Sequence, residues 1–305
     1  MMKNLPIGTQ SFSVLRSTDC LYVDKTEHIH RMITNGRIYF LSRPRRFGKS
    51  LLVSTLDALF KGQKELFEGL YIYDKWDWTQ QYPVIRIDFS GLSHRTTEAL
   101  ITSLSDLVKI TASKNRIVPE STELPDKFRE LIEQLHESTG QKVVVLIDEY
   151  DKPITDHLSN PEVMKTNRET LHDFYQVLKA ADEHIRFVFL TGVSKFSGIS
   201  VFSALNSLDD ITLDDQYASI CGYTQEELEN DFTEYIDDVA MYLGRSREDL
   251  LKSIRRWYNG YSWDGMTSVY NPFSTLSFFK KKRFADYWFR TGTPGFLIDL
   301  LKQRN

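Results

Sequence analysis

Gly48, Lys49 and Ser50 stand where an apolar run gives way to an amphipathic one, in the stretch Arg37-Ile-Tyr-Phe-Leu-Ser-Arg-Pro-Arg-Arg-Phe-Gly-Lys-Ser50. That order of strand, basic loop and helix start is how a phosphate-binding loop is built. Exposed amides at a helix N-terminus, with one lysine, can hold a triphosphate. Gly48 has no Cβ and lets the main chain approach a phosphate oxygen. Lys49 would set its ammonium on the β- and γ-phosphates, and Ser50 would offer a hydroxyl to Mg2+. Arg45, Arg46, Phe47 and Leu51 would complete the cradle through the loop and helix-start backbone. The full pattern G-x-x-x-x-G-K-[ST] asks for glycine where this chain has Arg43, and an ordinary glycine turn before a helix also accounts for the triplet.

A second constellation supplies the chemistry that a lysine loop lacks. Val143-Val-Val-Leu-Ile-Asp-Glu149 is an apolar strand ending in two acids, the Walker B form. Asp148 would hold the Mg2+ shell with Ser50, and Glu149 would polarise the water that attacks the γ-phosphate. Ligands bind outside the carboxyl ends of the strands in sheets of this kind. Asp151 would support the metal or an arginine, or else cap a helix. Phe187-Val-Phe-Leu-Thr191 ends in a hydroxyl residue, as does the sensor strand of additional-strand NTPases. Thr191 is the first choice to hold the attacking water and Ser194 the second; Lys195 either meets a phosphate or is exposed.

Other charged and aromatic groups have two readings each. Arg43, Arg45 and Arg46 either neutralise phosphate or contact a neighbouring subunit or nucleic acid, or they are solvated arginines paired with surface acids. His28 and His30 lack a ligand cluster around them and read as helix-surface histidines. Lys280-Lys-Lys-Arg283 reads as a solvated basic turn before it reads as a nucleic-acid patch. Trp257, Tyr258, Tyr261, Tyr287, Trp288 and Phe289 read as aromatic packing.

The elements that must position these residues alternate. Ile38–Leu41, Val84–Phe89, Val143–Ile147 and Arg186–Thr191 read as strands, with Tyr217–Ile220 as a possible fifth. Helical spacing marks Thr26–Thr34, Lys49–Phe60, 100–108, a helix from Pro125 to about Gly140, and Thr166–Lys179. The unbroken apolar run at 143–147 fits a strand buried on both faces. Strands alternating with helices from 37 to 221 predict an α/β three-layer core with a mainly parallel sheet. Beyond 221 the pattern turns helical: Thr224-Gln-Glu-Glu227 is a capping box, and a second helix spans Glu248–Trp257. The expected division is a core over 1–221 and a smaller helical lobe over 222–305.

Composition narrows the class. Of 305 residues, 41% are hydrophobic and 26% charged, as in a soluble globular protein. A net charge of −4 makes no general case for nucleic-acid binding. Two distant cysteines form no metal or redox spacing, and no apolar run nears the ~20 residues of a membrane span. A cytoplasmic setting without a membrane is the default expectation.

Several segments together resemble the bacterial AAA-ATPase-like family. They are Leu5-Pro-Ile-Gly8, Tyr22-Val-Asp-Lys-Thr26, Ser42-Arg-Pro-Arg-Arg-Phe-Gly-Lys-Ser50, Leu146-Ile-Asp-Glu-Tyr-Asp-Lys-Pro153, Leu190-Thr-Gly-Val-Ser-Lys-Phe-Ser197, Trp257-Tyr-Asn-Gly-Tyr261 and Thr291-Gly-Thr-Pro294. The resemblance spans nearly the whole chain and includes Arg43 in the place of glycine. It implies an AAA+-like P-loop NTPase core, and it places Pro6, Ile7 and Gly8 over an adenine. Members often continue into a domain resembling PD-(D/E)XK nucleases; the last 25 residues here carry no such carboxylate–lysine pattern. The implied activity is Mg2+-dependent ATP binding and hydrolysis driving a conformational switch. The alternatives are a nucleotide-gated binding module with negligible turnover, or the ATPase part of a DNA-acting protein. A homo-oligomer or a partner protein would supply an arginine finger, with Arg255 and Arg256 as candidates in this chain.

Overall fold

The computed structural model describes residues 2–194 and 208–292. Lys195, Phe196, Ser197, Thr293 and Pro294, singled out above, lie outside the described residues.

The chain opens with α1 (Phe12–Ser17) and α2 (Thr26–Asn35). Asp24 starts α2: its Oδ1 accepts the Thr26 amide at 2.8 Å, while Oδ2 accepts the Tyr71 amide at 2.7 Å. β1 (Ile38–Ser42) follows and runs through the basic loop 43–48 into α3 (Lys49–Phe60). Then come β2 (Val84–Asp88), α4 (Thr97–Lys114), α5 (Leu124–Thr139) and β3 (Val143–Asp148). A short α6 (Lys152–Thr155) and a long α7 (Pro161–Ala180) lead to β4 (Ile185–Gly192) and the two-residue β5 (Asp209–Asp210).

The five strands form one parallel sheet in the order β2-β3-β4-β1-β5. Every residue of β3 is buried. One face packs on α4, α5 and α7 through Leu104, Phe128 and Phe174, the other on α2 and α3 through Ile29, Leu56 and Leu59. Burying each Val, Leu or Ile contributes about 1.5–3 kcal/mol, which is why a run with no polar face makes the central strands. β4 lies between β1 and β3, so the basic loop 43–48, Thr191 and Asp148 leave the sheet at one edge, side by side.

The fifth strand is not where the sequence put it. Tyr217–Ile220 forms the end of a 3-10 turn (Asp215–Tyr217) and the residues just after it, and Asp209–Asp210 pairs with β1 instead. Asp214 accounts for this locally, because its carboxylate takes the Gln216 amide at 2.8 Å and closes a turn. The Arg43 guanidinium then donates to the Tyr217 carbonyl at 3.2 Å.

Beyond this lie α8 (Gln225–Asp231), α9 (Thr233–Leu243) and α10 (Arg247–Tyr258). The Thr224–Glu227 capping box is present. An antiparallel hairpin of β6 (Asn259–Ser262) and β7 (Ser268–Tyr270) interrupts the helices before α11 (Pro272–Lys281) and α12 (Tyr287–Gly292). The N-terminal Leu5, Ile7, Leu21 and Val23 pack into the lobe's apolar cluster, against residues such as Phe232, Ile236 and Phe278.

Candidate functional site

The strand ends are stitched together by named bonds. Thr191 Oγ1 donates to Asp148 Oδ1 at 2.5 Å and accepts the Glu149 amide at 3.4 Å. The Tyr150 amide donates to the Thr191 carbonyl at 2.9 Å. Asp151 is buried, and its Oδ2 accepts the Val193 amide, the Ser194 amide and the Ser194 hydroxyl at 3.0, 3.1 and 3.2 Å. Asp151 and Ser194 therefore serve each other. The chain can close this tightly because residue 192 is glycine: a Cβ there would lie 2.5 Å from Tyr150 Cε1.

Glu149 adopts φ +54°, a left-handed conformation that costs a non-glycine residue roughly 1–2 kcal/mol. Burial pushes its carboxyl up and the adjacent Asp148 adds to this, while Lys49 and Lys152 oppose. Lys49 is itself buried, and Nζ donates to the Arg43 carbonyl at 2.9 Å and the Pro44 carbonyl at 3.2 Å. Burial pulls its ammonium down, and Asp148 pulls it back most among the charges. Gly48 takes φ +95° at the start of α3, a value that suits glycine alone.

The three loop arginines divide. Arg43 is fully buried, so neither of its two sequence-based readings holds. Its guanidinium donates to the carbonyls of Ser42, Thr212 and Tyr217 and lies 4.4 Å from the Trp263 ring. Position 43 thus buttresses the loop from behind, and burial lowers its pKa to about 10. Arg45 reaches Asp156 at 3.9 Å, and its carbonyl accepts the Trp288 indole N–H at 2.8 Å. Arg46 lies 4.8 Å from the Phe273 ring. Phe47 is buried against Tyr261 at 4.7 Å and Trp263 at 5.7 Å, so it works as an anchor to the β6–β7 hairpin. The turn Asp264-Gly265 between Tyr261 and Val269 is the signal that could have announced that hairpin.

A cavity of about 460 Å3 opens over the loop. It falls within the ~300–1,000 Å3 range of small-molecule sites. Arg45 to Leu52 and Glu149 form one wall. Pro6, Gly8, Thr9, Gln10, Tyr22 and Lys25 form a second, and Cys221, Tyr223, Phe273 and Leu276 a third. Asp148 and Thr191 are not among the lining residues, and Ile7 packs into the lobe cluster instead. Spacing along the chain had not marked Gln10, Lys25, Tyr223 or Phe273, because the walls come from segments far apart in the sequence.

Among the described residues no three or more His, Cys, Asp or Glu side chains gather to hold a metal. Ser50 lines the cavity, whereas Asp148 is buried behind it with Oδ1 accepting the Thr191 hydroxyl. His28 contacts the Gln216 carbonyl and the Ser219 hydroxyl, each at 3.0 Å. Arg255 and Arg256 are exposed on α10 and do not line the cavity. Lys282 pairs with Asp238 at 2.7 Å. No helix of the described residues is long and apolar enough to cross a membrane.

A family model described as "Predicted AAA-ATPase" matches residues 6–202, which takes in the loop and both strand ends of the site. A protein of Azotobacter chroococcum mcd 1, named "Uncharacterized protein in vnfD 5'region", is 46% identical over 303 residues. The match covers 99% of this chain and 57% of that protein, so the chain spans little more than half of that relative.

Proposed function

The chain belongs to the AAA-ATPase-like family, and we propose that it binds ATP with Mg2+ and hydrolyses it. The observation that carries this reading is the cavity floored by the Lys49 loop and edged by Glu149. The β- and γ-phosphates would replace the two carbonyls that Lys49 now holds, with the amides from Arg45 to Leu51 around them. The base would lie at the apolar end, between Pro6, Gly8, Tyr223 and Leu276. Ser50 and Asp148 would hold the Mg2+, which supplies charge neutralisation at the phosphate oxygens.

Glu149 would orient the attacking water and take its proton. Burial moves its pKa toward working pH, which suits a general base. Thr191 would keep Asp148 and the Glu149 backbone in register. Catalysis here is positioning and charge stabilisation, with no covalent intermediate.

A slow nucleotide-gated switch is the second reading. It is favoured by the walls, which come from the N-terminal segment, the sheet and the lobe, so occupancy bears on all three. Turnover that rises with protein concentration would then point to an arginine supplied across an interface.

The test is calorimetric ATP binding plus phosphate release for wild type, Lys49→Ala and Glu149→Gln. Lys49→Ala should lose binding. Glu149→Gln should still bind while turnover falls by roughly 100-fold or more. Phosphate release unchanged in both variants sinks the reading.

A further inference from the structure

Lys25 is a second buried ammonium in the cavity wall. It is 8% exposed, and Nζ donates to both Glu227 oxygens, at 2.5 and 2.7 Å. Glu227 also acts on its own helix, where its Oε2 accepts the Thr224 amide at 2.7 Å and completes the α8 capping box. One carboxylate thus closes a helix start and neutralises a lysine from the other end of the chain.

Ion pairs at buried positions are inefficient glue, because desolvation offsets most of the attraction. The position of this one suggests a different use. The charged residues lining the cavity are Lys25, Arg45, Arg46, Lys49 and Glu149, four cations against one acid. Cys221 lines the same cavity, and both Lys25 and Lys49 act on its thiol. Lys25 therefore lines the same cavity as the loop lysine, on the wall built from the N-terminal segment.

Building on the nucleotide reading above, we propose that Lys25 is a phosphate-binding residue that Glu227 holds until a nucleotide enters. A polyphosphate carries more charge than one carboxylate and competes for the ammonium. Loading then breaks the tie between the N-terminal segment and α8, while Glu227 keeps its capping bond. Nucleotide occupancy would in this way reach the lobe through a single exchanged ion pair.

The two partners should respond with opposite sign. Calorimetric titration of ATP and adenosine against wild type, Lys25→Met and Glu227→Gln tests this. Glutamine also serves at the third position of a capping box, so α8 keeps its start in Glu227→Gln. Lys25→Met should weaken ATP binding by roughly tenfold or more, the loss of one charge-assisted bond, and leave adenosine within about twofold. Glu227→Gln should tighten ATP binding severalfold, since the competitor is gone (roughly a threefold gain is enough to read).

Two variants that weaken ATP together, or a Lys25→Met variant that loses adenosine in parallel, overturn the proposal. If Lys25→Met does not fold, Glu227→Gln decides: tighter ATP binding upholds the exchange, and unchanged or weaker binding ends it. A wild type that binds no nucleotide defeats the underlying reading and this one with it. A wild type that binds, with Glu227→Gln no tighter, defeats Lys25 alone.

Discussion

Thr191 and Asp148 share a 2.5 Å hydrogen bond across two neighbouring strands, and the same hydroxyl receives the Glu149 amide. The relationship exists because β4 lies between β1 and β3. One hydroxyl therefore sets both acids at the end of β3.

Thr191→Val should separate this role from simple packing. It leaves a buried carboxylate oxygen short of a donor, which costs about 1–3 kcal/mol. Turnover should fall at least about tenfold while ATP affinity changes little. Thr191→Ser restores the hydroxyl and should recover most of both. Urea denaturation and phosphate release together check it, and a valine variant with normal turnover argues against the role.

Glu149 carries backbone strain at a position where glycine would carry none. Glu149→Gly should hold stability within about 1 kcal/mol of wild type, or raise it, while hydrolysis collapses. Glu149→Val should be the less stable variant, because a β-branched residue resists positive φ. Thermal melts that rank valine above glycine would remove the strain assignment.

Arg43→Met should destabilise the protein by about 3 kcal/mol or more, since several buried carbonyls lose their donor together. Arg43→Lys should recover little, because an ammonium lacks the planar fork that reaches Ser42, Thr212 and Tyr217. Denaturant midpoints measure both variants. A lysine variant of wild-type stability would show that charge alone suffices there.

Asp156 gathers His94, Lys152 and Arg45 beside the loop. The His94 bond holds the Asp156 carboxyl well below its usual range, and the Asp156 bond raises the His94 imidazole above 6.5. The His94 contribution is complete below its unfolded value of 6.5 and fades as pH rises through the higher folded value. The Asp156 contribution is complete above its unfolded value of 3.8 and fades as pH falls. Both act fully between those two values. His94→Gln should cost about 1 kcal/mol near pH 5.5, after allowance for solvent screening, and less near pH 8.5. Melts at the two pH values give the comparison, and a gap that widens with pH reverses the assignment.

The strands and helices that carry the site were largely legible. Lys49–Phe60 is helical over the predicted span, and β3 follows from an unbroken apolar run. Tyr217–Ile220 misled because its aromatic and aliphatic residues look strand-like, while Asp214 and Arg43 hold its backbone in a turn. Arg43 was legible as a departure from the glycine pattern and illegible as a buried post, because Trp263 and Thr212 reach it only in the folded chain. Lys25 and Tyr223 share a cavity through tertiary packing that no local spacing announces.

Phe47 gives the loop before α3 an unusual dependency. Loops of this kind are often pictured as cassettes that carry their shape wherever a strand and a helix are provided. Here the cassette's central side chain is seated on Tyr261 and Trp263, and its outer carbonyl on Trp288. The loop's shape depends on residues far from it in the sequence. Grafting residues 37–60 onto another α/β sheet would transfer the motif and leave behind the aromatic seat that shapes it.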